Sequence, residues 1–256
     1  MSVLYDNFIF GPIRSRRLGL SLGINLLPID CKLCSFNCIY CECGWTLGGL
    51  KPRFNDKGEV LAMLESVLGK MVGDGTPPDV LTFAGNGEPT MHPDFEEIVD
   101  GVIALRDKLC PNAKVSVLSN ATMLHRESVR RALLRVDNPI LKLDSAFDHT
   151  AQLIDKPLGG YSIANVVENM KLFGGNCIVQ TMFLRGEFEG EVVDNTTPEE
   201  IEAWLRLVEE IAPRSVMVYT IDRDTPAPNL VKVPIEELRA IAERVKALGI
   251  DCSVAG

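Results

Sequence analysis

From residue 77 onward, short near-continuous apolar runs alternate with segments of helical period. The runs at 80–84, 114–119, 140–143, 177–183 and 215–221, and a weaker one at 250–254, predict strands. Because they do not alternate with polar residues, they read as parallel strands covered on both faces. Between them, residues 94–109 place Phe95, Ile98, Val99, Val102, Ile103 and Leu105 close to a 3.6-residue period, which predicts a helix. A further helix is expected over 59–71. Thr197-Pro-Glu-Glu sets Thr197 at an N-cap, Pro198 at the first helical position and Glu200 three residues on. Val233-Pro-Ile-Glu-Glu opens another helix with Pro234 at its first position and Gly249 as its stop. Adding a first strand near 18–27 gives about six strand–helix units, too few for a closed eight-fold barrel. The expectation is an α/β fold, an incomplete (β/α)6 barrel with a parallel sheet, forming one domain over 1–256. Residues 1–30 supply a lead-in and the first strand, 31–44 form a loop after it, and 73–78 form another loop. Ligands of such sheets collect at the carboxyl ends of the strands, here the loops after residues 27, 84, 119, 143, 183 and 221.

Composition narrows the class without naming the chemistry. The 256 residues are 46% hydrophobic and 24% charged, as in ordinary globular proteins. No apolar run reaches the roughly 18–20 residues of a membrane span, and Met1 to Phe10 lacks the pattern of a secretory signal. A cytoplasmic protein with reduced cysteines and no membrane partner is expected. The formal charge of −9 argues against a basic surface that grips nucleic acid. One local basic group stands out, Arg14, Arg16 and Arg17, which is either a solvated charge group or a contact to a substrate phosphate or carboxylate.

The cysteines are unevenly spread. Cys31, Cys34, Cys38, Cys41 and Cys43 fall within thirteen residues, in the first of the ligand-facing loops. Cys34, Cys38 and Cys41 form a C-x3-C-x2-C run, in which three soft thiolates can surround one face of a metal centre and leave a position open. The loop has no histidine, and no second distant C-x2-C pair suggests a zinc ribbon. An all-thiolate zinc site with Cys31 or Cys43 as fourth ligand stays open at this point, as does a chance group of inert thiols. His92, His125 and His149 fit no metal spacing and are expected in solvent. Cys110, Cys177 and Cys252 are expected as small buried hydrophobes.

Cys34, Cys38 and Cys41, with Tyr40 before the last cysteine, resemble the signature of the radical S-adenosylmethionine (SAM) superfamily. Other segments align in order: Gly85-Asn-Gly-Glu-Pro-Thr resembles the superfamily's Gly-Gly-Glu-Pro motif, with Asn86 at its middle glycine. Leu118-Ser-Asn-Ala, Lys142-Leu-Asp144 and Tyr219-Thr-Ile-Asp-Arg223 fall at later strand ends. The lead-in from Gly11 to Asn25 resembles a branch grouped with the wyosine synthases, which rebuild a guanine in tRNA.

The resemblance implies that Cys34, Cys38 and Cys41 ligate three irons of a [4Fe–4S] cluster, and that SAM chelates the fourth. It implies reductive cleavage of SAM to a 5′-deoxyadenosyl radical that abstracts hydrogen from a substrate, driven by a low-potential flavodoxin or ferredoxin. Gly85, Asn86, Gly87 and Glu88 would receive the SAM ammonium. Ser119 and Asn120 would contact SAM or cap the next helix. Asp144, Gln180, Tyr40 and Tyr219 would contact the cofactor or serve only in packing. Arg14, Arg16, Arg17 and Arg223 are candidate substrate contacts. The expected substrate is a small or nucleobase-like molecule, ahead of tRNA and of a peptide or protein. An iron–sulfur electron carrier or a zinc-binding module is the non-enzymatic alternative. Cys31 and Cys43 are undecided among spare thiols, a cap over the cluster and ligands to a second centre.

Overall fold

The computed structural model describes residues 3–15, 19–46 and 53–256. Its frame is one eight-stranded sheet: β1 (Ile9–Ser15), β2 (Gly19–Ile24), β3 (Val80–Phe83), β4 (Lys114–Ser119), β5 (Asn138–Lys142), β6 (Ile178–Met182), β9 (Ser215–Tyr219) and β11 (Asp251–Ala255), hydrogen-bonded in that order. β1 pairs antiparallel with β2, and every other pairing is parallel. β1 and β11 are not paired to each other, so the barrel stays open. Six strand–helix steps build it, with α1 (Lys57–Gly73), α2 (Phe95–Leu109), α3 (Glu127–Arg135), α5 (Ile163–Lys171), α6 (Pro198–Ile211) and α7 (Ile235–Ala247) as the returning helices, and α4 (Asp148–Asp155) preceding α5. The α/β class and the partial barrel expected from the apolar runs are what the fold has.

The buried strand residues explain the non-alternating runs. All four residues of β3 and all five of β6 are buried, because helices cover one face while the barrel interior covers the other. Leu22, Ile24, Leu81, Phe83, Val115, Val117, Leu141, Val179, Val216 and Val218 join Val60, Leu64, Ile98, Val102 and Trp204 of the helices in one core. Among the described residues no helix is long and apolar enough to cross a membrane.

The local detail differs from expectation in four places. The strand expected near 18–27 is β2, and the lead-in adds β1, paired with it in a hairpin, which no apolar run marks. β7 (Leu184–Phe188), β8 (Glu191–Asp194) and β10 (Leu230–Lys232) form a separate antiparallel sheet beyond β6 and β9, too short for a periodic signal. α7 starts one residue late, with Pro234 as its cap, whereas Gly249 follows its end at φ +79° as expected. Thr197 caps α6 by accepting the Glu200 N–H at 3.2 Å, but the Glu200 carboxylate does not reach back and accepts from Ser145 Oγ at 2.9 Å.

Candidate active site

The carboxyl ends of the strands meet at a cavity of about 340 Å³. Cys34, Cys38, Cys41 and Cys43 line it from the loop after β2, Gly85, Gly87 and Glu88 from the loop after β3, and Ser119 and Asn120 from the end of β4. Lys142, Gln180, Met182 and Tyr219 close it from β5, β6 and β9, with Tyr40 beside them. Two short loops are welded together to form its floor. Leu33 N donates to Asn86 O at 2.8 Å and Glu88 N donates to Leu33 O at 3.1 Å, a parallel bridge between the cysteine loop and the loop after β3. Gly87 makes the bridge: its φ is +142°, and a Cβ there would lie 1.8 Å from the Leu33 carbonyl oxygen.

Glu88 braces this floor. Its carboxylate, 2% exposed, accepts from Asn120 N (2.6 Å), Ser119 Oγ (2.9 Å) and Thr90 N (3.1 Å). Burial outweighs those donors and moves its pKa up. Its side chain therefore ties β4 to the loop after β3. Asn120 Nδ2 turns back to Ser35 Oγ (2.9 Å) and the Cys34 sulfur (3.6 Å), joining a third element to the cysteine loop.

The thiols are held in unlike surroundings. Burial pushes Cys34 up to about 12 against the pull of Lys32. Cys38 is raised by burial and by Asp155, whose Oδ1 accepts its thiol at 3.3 Å. Cys41 is held down at about 5, first by a hydrogen bond from Cys43 and, against burial, by the Lys32 ammonium. The Cys43 thiol is pushed up, first by its hydrogen bond with Cys41 and then by burial, and its Sγ lies 3.4 Å from the Gly85 carbonyl oxygen. Lys32 is 3% exposed and donates to Gly44 O at 2.8 Å; burial works to lower its pKa, yet Cys41, Cys34 and Cys38 leave it raised. A buried cation among three thiols is the arrangement an anionic cluster needs. Among the described residues no three Cys, His, Asp or Glu converge closely enough to hold a single metal ion. Gln180 adds a second mark of fit. Its side chain lines the cavity, and its Nε2 is buried with no partner in the protein, a donor ready for a ligand oxygen. The donor set and this orphaned amide fit a cluster with SAM beside it.

Several expected contacts sit elsewhere. Asn86 is fully buried but does not line the cavity, because its amide is spent on Tyr5 and Pro28. Asp144 stands behind the wall: Tyr40 Oη donates to it, Lys142 reaches it at 3.2 Å, and Met182 N donates to it at 2.9 Å. Its part is to orient Tyr40 and Lys142. Arg14 is exposed on β1 outside the lining, and Arg16 and Arg17 lie outside the described residues. Arg223 pairs with Glu42 at the rim, 2.6 Å apart. His92 is buried, not solvated. Its Nδ1 accepts from Asp94 N (3.0 Å), so Nε2 carries the proton to Asn55 O (2.9 Å). Cys110 and Cys177 are buried as expected, whereas Cys252 is half-buried at the edge strand β11. Cys31 and Cys43 share a second cavity of about 400 Å³ with Lys32, Trp45 and Pro226, so Lys32 and Cys43 separate the two spaces. Lys32, Asp155 and Tyr5 escaped the sequence reading as site residues, and Lys142 entered it only as part of a strand-end segment. Lys32 had one local signal, its place between Cys31 and Cys34.

The family model of the radical SAM superfamily matches residues 29–195, more than half of the chain. A UPF0026 protein of Methanocaldococcus jannaschii is 30% identical over 235 residues, covering 88% of this chain and 66% of that protein. The chain thus spans about two thirds of that relative's length. A radical SAM methyltransferase from Sphaerobacter thermophilus superposes with a TM-score of 0.67 at 14% identity, covering 92% of this chain and 65% of that one. TYW1 with a lysine–pyruvate adduct bound superposes at 0.59 and 14% identity, covering 89% and 73%. At such identities these two structures share the fold, and the fold serves both. The chain belongs to the radical SAM superfamily, whose enzymes use a [4Fe–4S] cluster and SAM.

Proposed function

We propose that this protein cleaves SAM reductively and directs the resulting radical at a small or nucleobase-like molecule. The observation that carries the reading is the union, in one cavity, of Cys34, Cys38 and Cys41 with the buried Lys32 and the unpartnered Gln180 amide. Cys34, Cys38 and Cys41 would hold the cluster by three irons. When bound there, the cluster and SAM would supply one-electron reductive cleavage of SAM and abstraction of a substrate hydrogen. The electron is expected from a low-potential flavodoxin or ferredoxin. Lys32 balances the negative charge of the thiolates from below. Gly85 and Gly87 line the cavity, where their backbone can accept from an ammonium. Gln180 Nε2 can donate to a ligand oxygen. Tyr40, held by Lys142 and Asp144, and Tyr219 supply flat walls for a base and exclude water from the reacting end.

Anaerobic incubation of the iron-loaded protein with SAM and dithionite tests this. The expected products are 5′-deoxyadenosine and methionine in equal amounts, with the yield rising when a low-molecular-weight cell extract is added. An intact cluster that yields no 5′-deoxyadenosine would favour an electron carrier.

A further inference from the structure

The segment leading into β1, with the first residues of that strand, lines one side of the cavity. Val3, Tyr5 and Phe10 line the same cavity as the cysteines, and the Tyr5 and Phe10 rings stack at 3.7 Å and 20°. Phe10 is seated over Gly23, where a Cβ would stand 2.1 Å from its ring. Ile9 and Phe10 belong to the β1–β2 ladder, and ahead of it the strap is fixed at few points. Val3 N donates to Glu42 O at 2.8 Å, and Asn25 N donates to Phe8 O at 2.7 Å. Between them the Asn86 amide grips the backbone of Tyr5 on both sides: Oδ1 accepts from Tyr5 N at 2.8 Å, and Nδ2 donates to Tyr5 O at 2.9 Å. Nδ2 also donates to Pro28 O at 2.8 Å, so every polar atom of this buried amide is used. The outer side of the strap is open to water, with Val3, Asp6 and Asn7 exposed. Such a segment opens locally at little cost unless something holds it.

We propose that Asn86 is the latch of this strap, and that the closed strap makes Tyr5 and Phe10 a specificity-determining wall that admits a small organic substrate and turns macromolecules away. The proposal rests on the radical SAM reading and explains the departure at Asn86: a glycine at that position offers no amide to grip Tyr5. A base within tRNA or a side chain within a peptide would have to displace the strap before reaching the cavity. A small molecule enters beside it. Asn86 is a positioning residue here, acting through Tyr5.

The test compares wild-type holoprotein with Asn86→Gly and Tyr5→Ala, by hydrogen exchange over residues 3–10 and by the rate at which a water-soluble iron chelator strips the cluster. In the wild type the strap is protected and iron is lost slowly. Asn86→Gly speeds exchange of the strap by about tenfold, leaves β3 to β6 unchanged, and speeds iron loss. Tyr5→Ala keeps the backbone bonds, so strap exchange stays as in the wild type while iron loss quickens. Wild-type iron loss in both variants, or an unprotected strap in the wild type, would overturn the proposal. So would faster strap exchange when bulk tRNA or a peptide mixture is added. Iron content at the start reports on the cluster separately: a wild type that takes up no iron defeats the enzyme reading, while strap exchange still judges the latch.

Discussion

At the residue scale, the site depends on positions whose chemistry has no substitute. Gly87 is one: any side chain meets the Leu33 carbonyl at a backbone conformation only glycine adopts readily. Gly87→Ala should cost more than about 2 kcal/mol in chemical denaturation and abolish iron uptake, because the two loops part. Gln180 behaves oppositely. Its Nε2 has no protein partner, so Gln180→Leu should leave stability nearly unchanged while SAM binding, followed by calorimetry, weakens about tenfold. Cys41 gives a pH test in the iron-free protein. With its pKa near 5, it should react with iodoacetamide at a rate that climbs through pH 5 and is level above about pH 6.5. Cys43→Ala removes the largest cause of that lowering and should move the climb upward by more than Lys32→Met does. The cysteine spacing was legible because ligands on one loop are close in sequence. Tyr5 and Asp155 were not, since their partners Asn86 and Cys38 lie 81 and 117 positions away and only the closed fold brings them together.

At the scale of elements, the strands were legible because burial on both faces leaves near-continuous apolar runs. β1 and the β7–β8–β10 sheet were not, because a polar lead-in and three- to five-residue strands carry no period. The far end of the barrel from the cavity is clamped by Asp137. Its carboxylate accepts from Arg106 (2.8 Å), Lys114 (3.1 Å) and Val115 N (2.9 Å), joining α2 and β4 beside the start of β5. Burial opposes ionisation there, but the Val115 N–H and the two cations prevail and hold the carboxyl below its usual 3.8. A lowered carboxylate stabilises the fold above its unfolded-state value, and that stability is lost as pH falls through the folded one. Asp137→Asn should therefore cost roughly 1–2 kcal/mol at pH 7 in urea unfolding. The gap from the wild type should stay constant down to about pH 5 and close below 3.8. SAM cleavage per iron-loaded chain should be unaffected, since the clamp touches nothing in the cavity.

At the scale of the molecule, an acidic chain sets two cations, the buried Lys32 and the half-buried Lys142, against one cavity. The negative surface and the strapped mouth both point away from large polyanions, while the floor of thiols concentrates the reactive chemistry inside. The whole account rests on Cys34, Cys38 and Cys41 holding a cluster with an open iron. Iron and sulfide analysis, with electron paramagnetic resonance of the reduced protein before and after adding SAM, addresses this most directly. The account predicts four irons and four sulfides per chain, a signal that changes shape with SAM, and loss of both iron and signal in Cys34→Ala. A colourless protein that keeps one zinc per chain, or a signal indifferent to SAM, would contradict it.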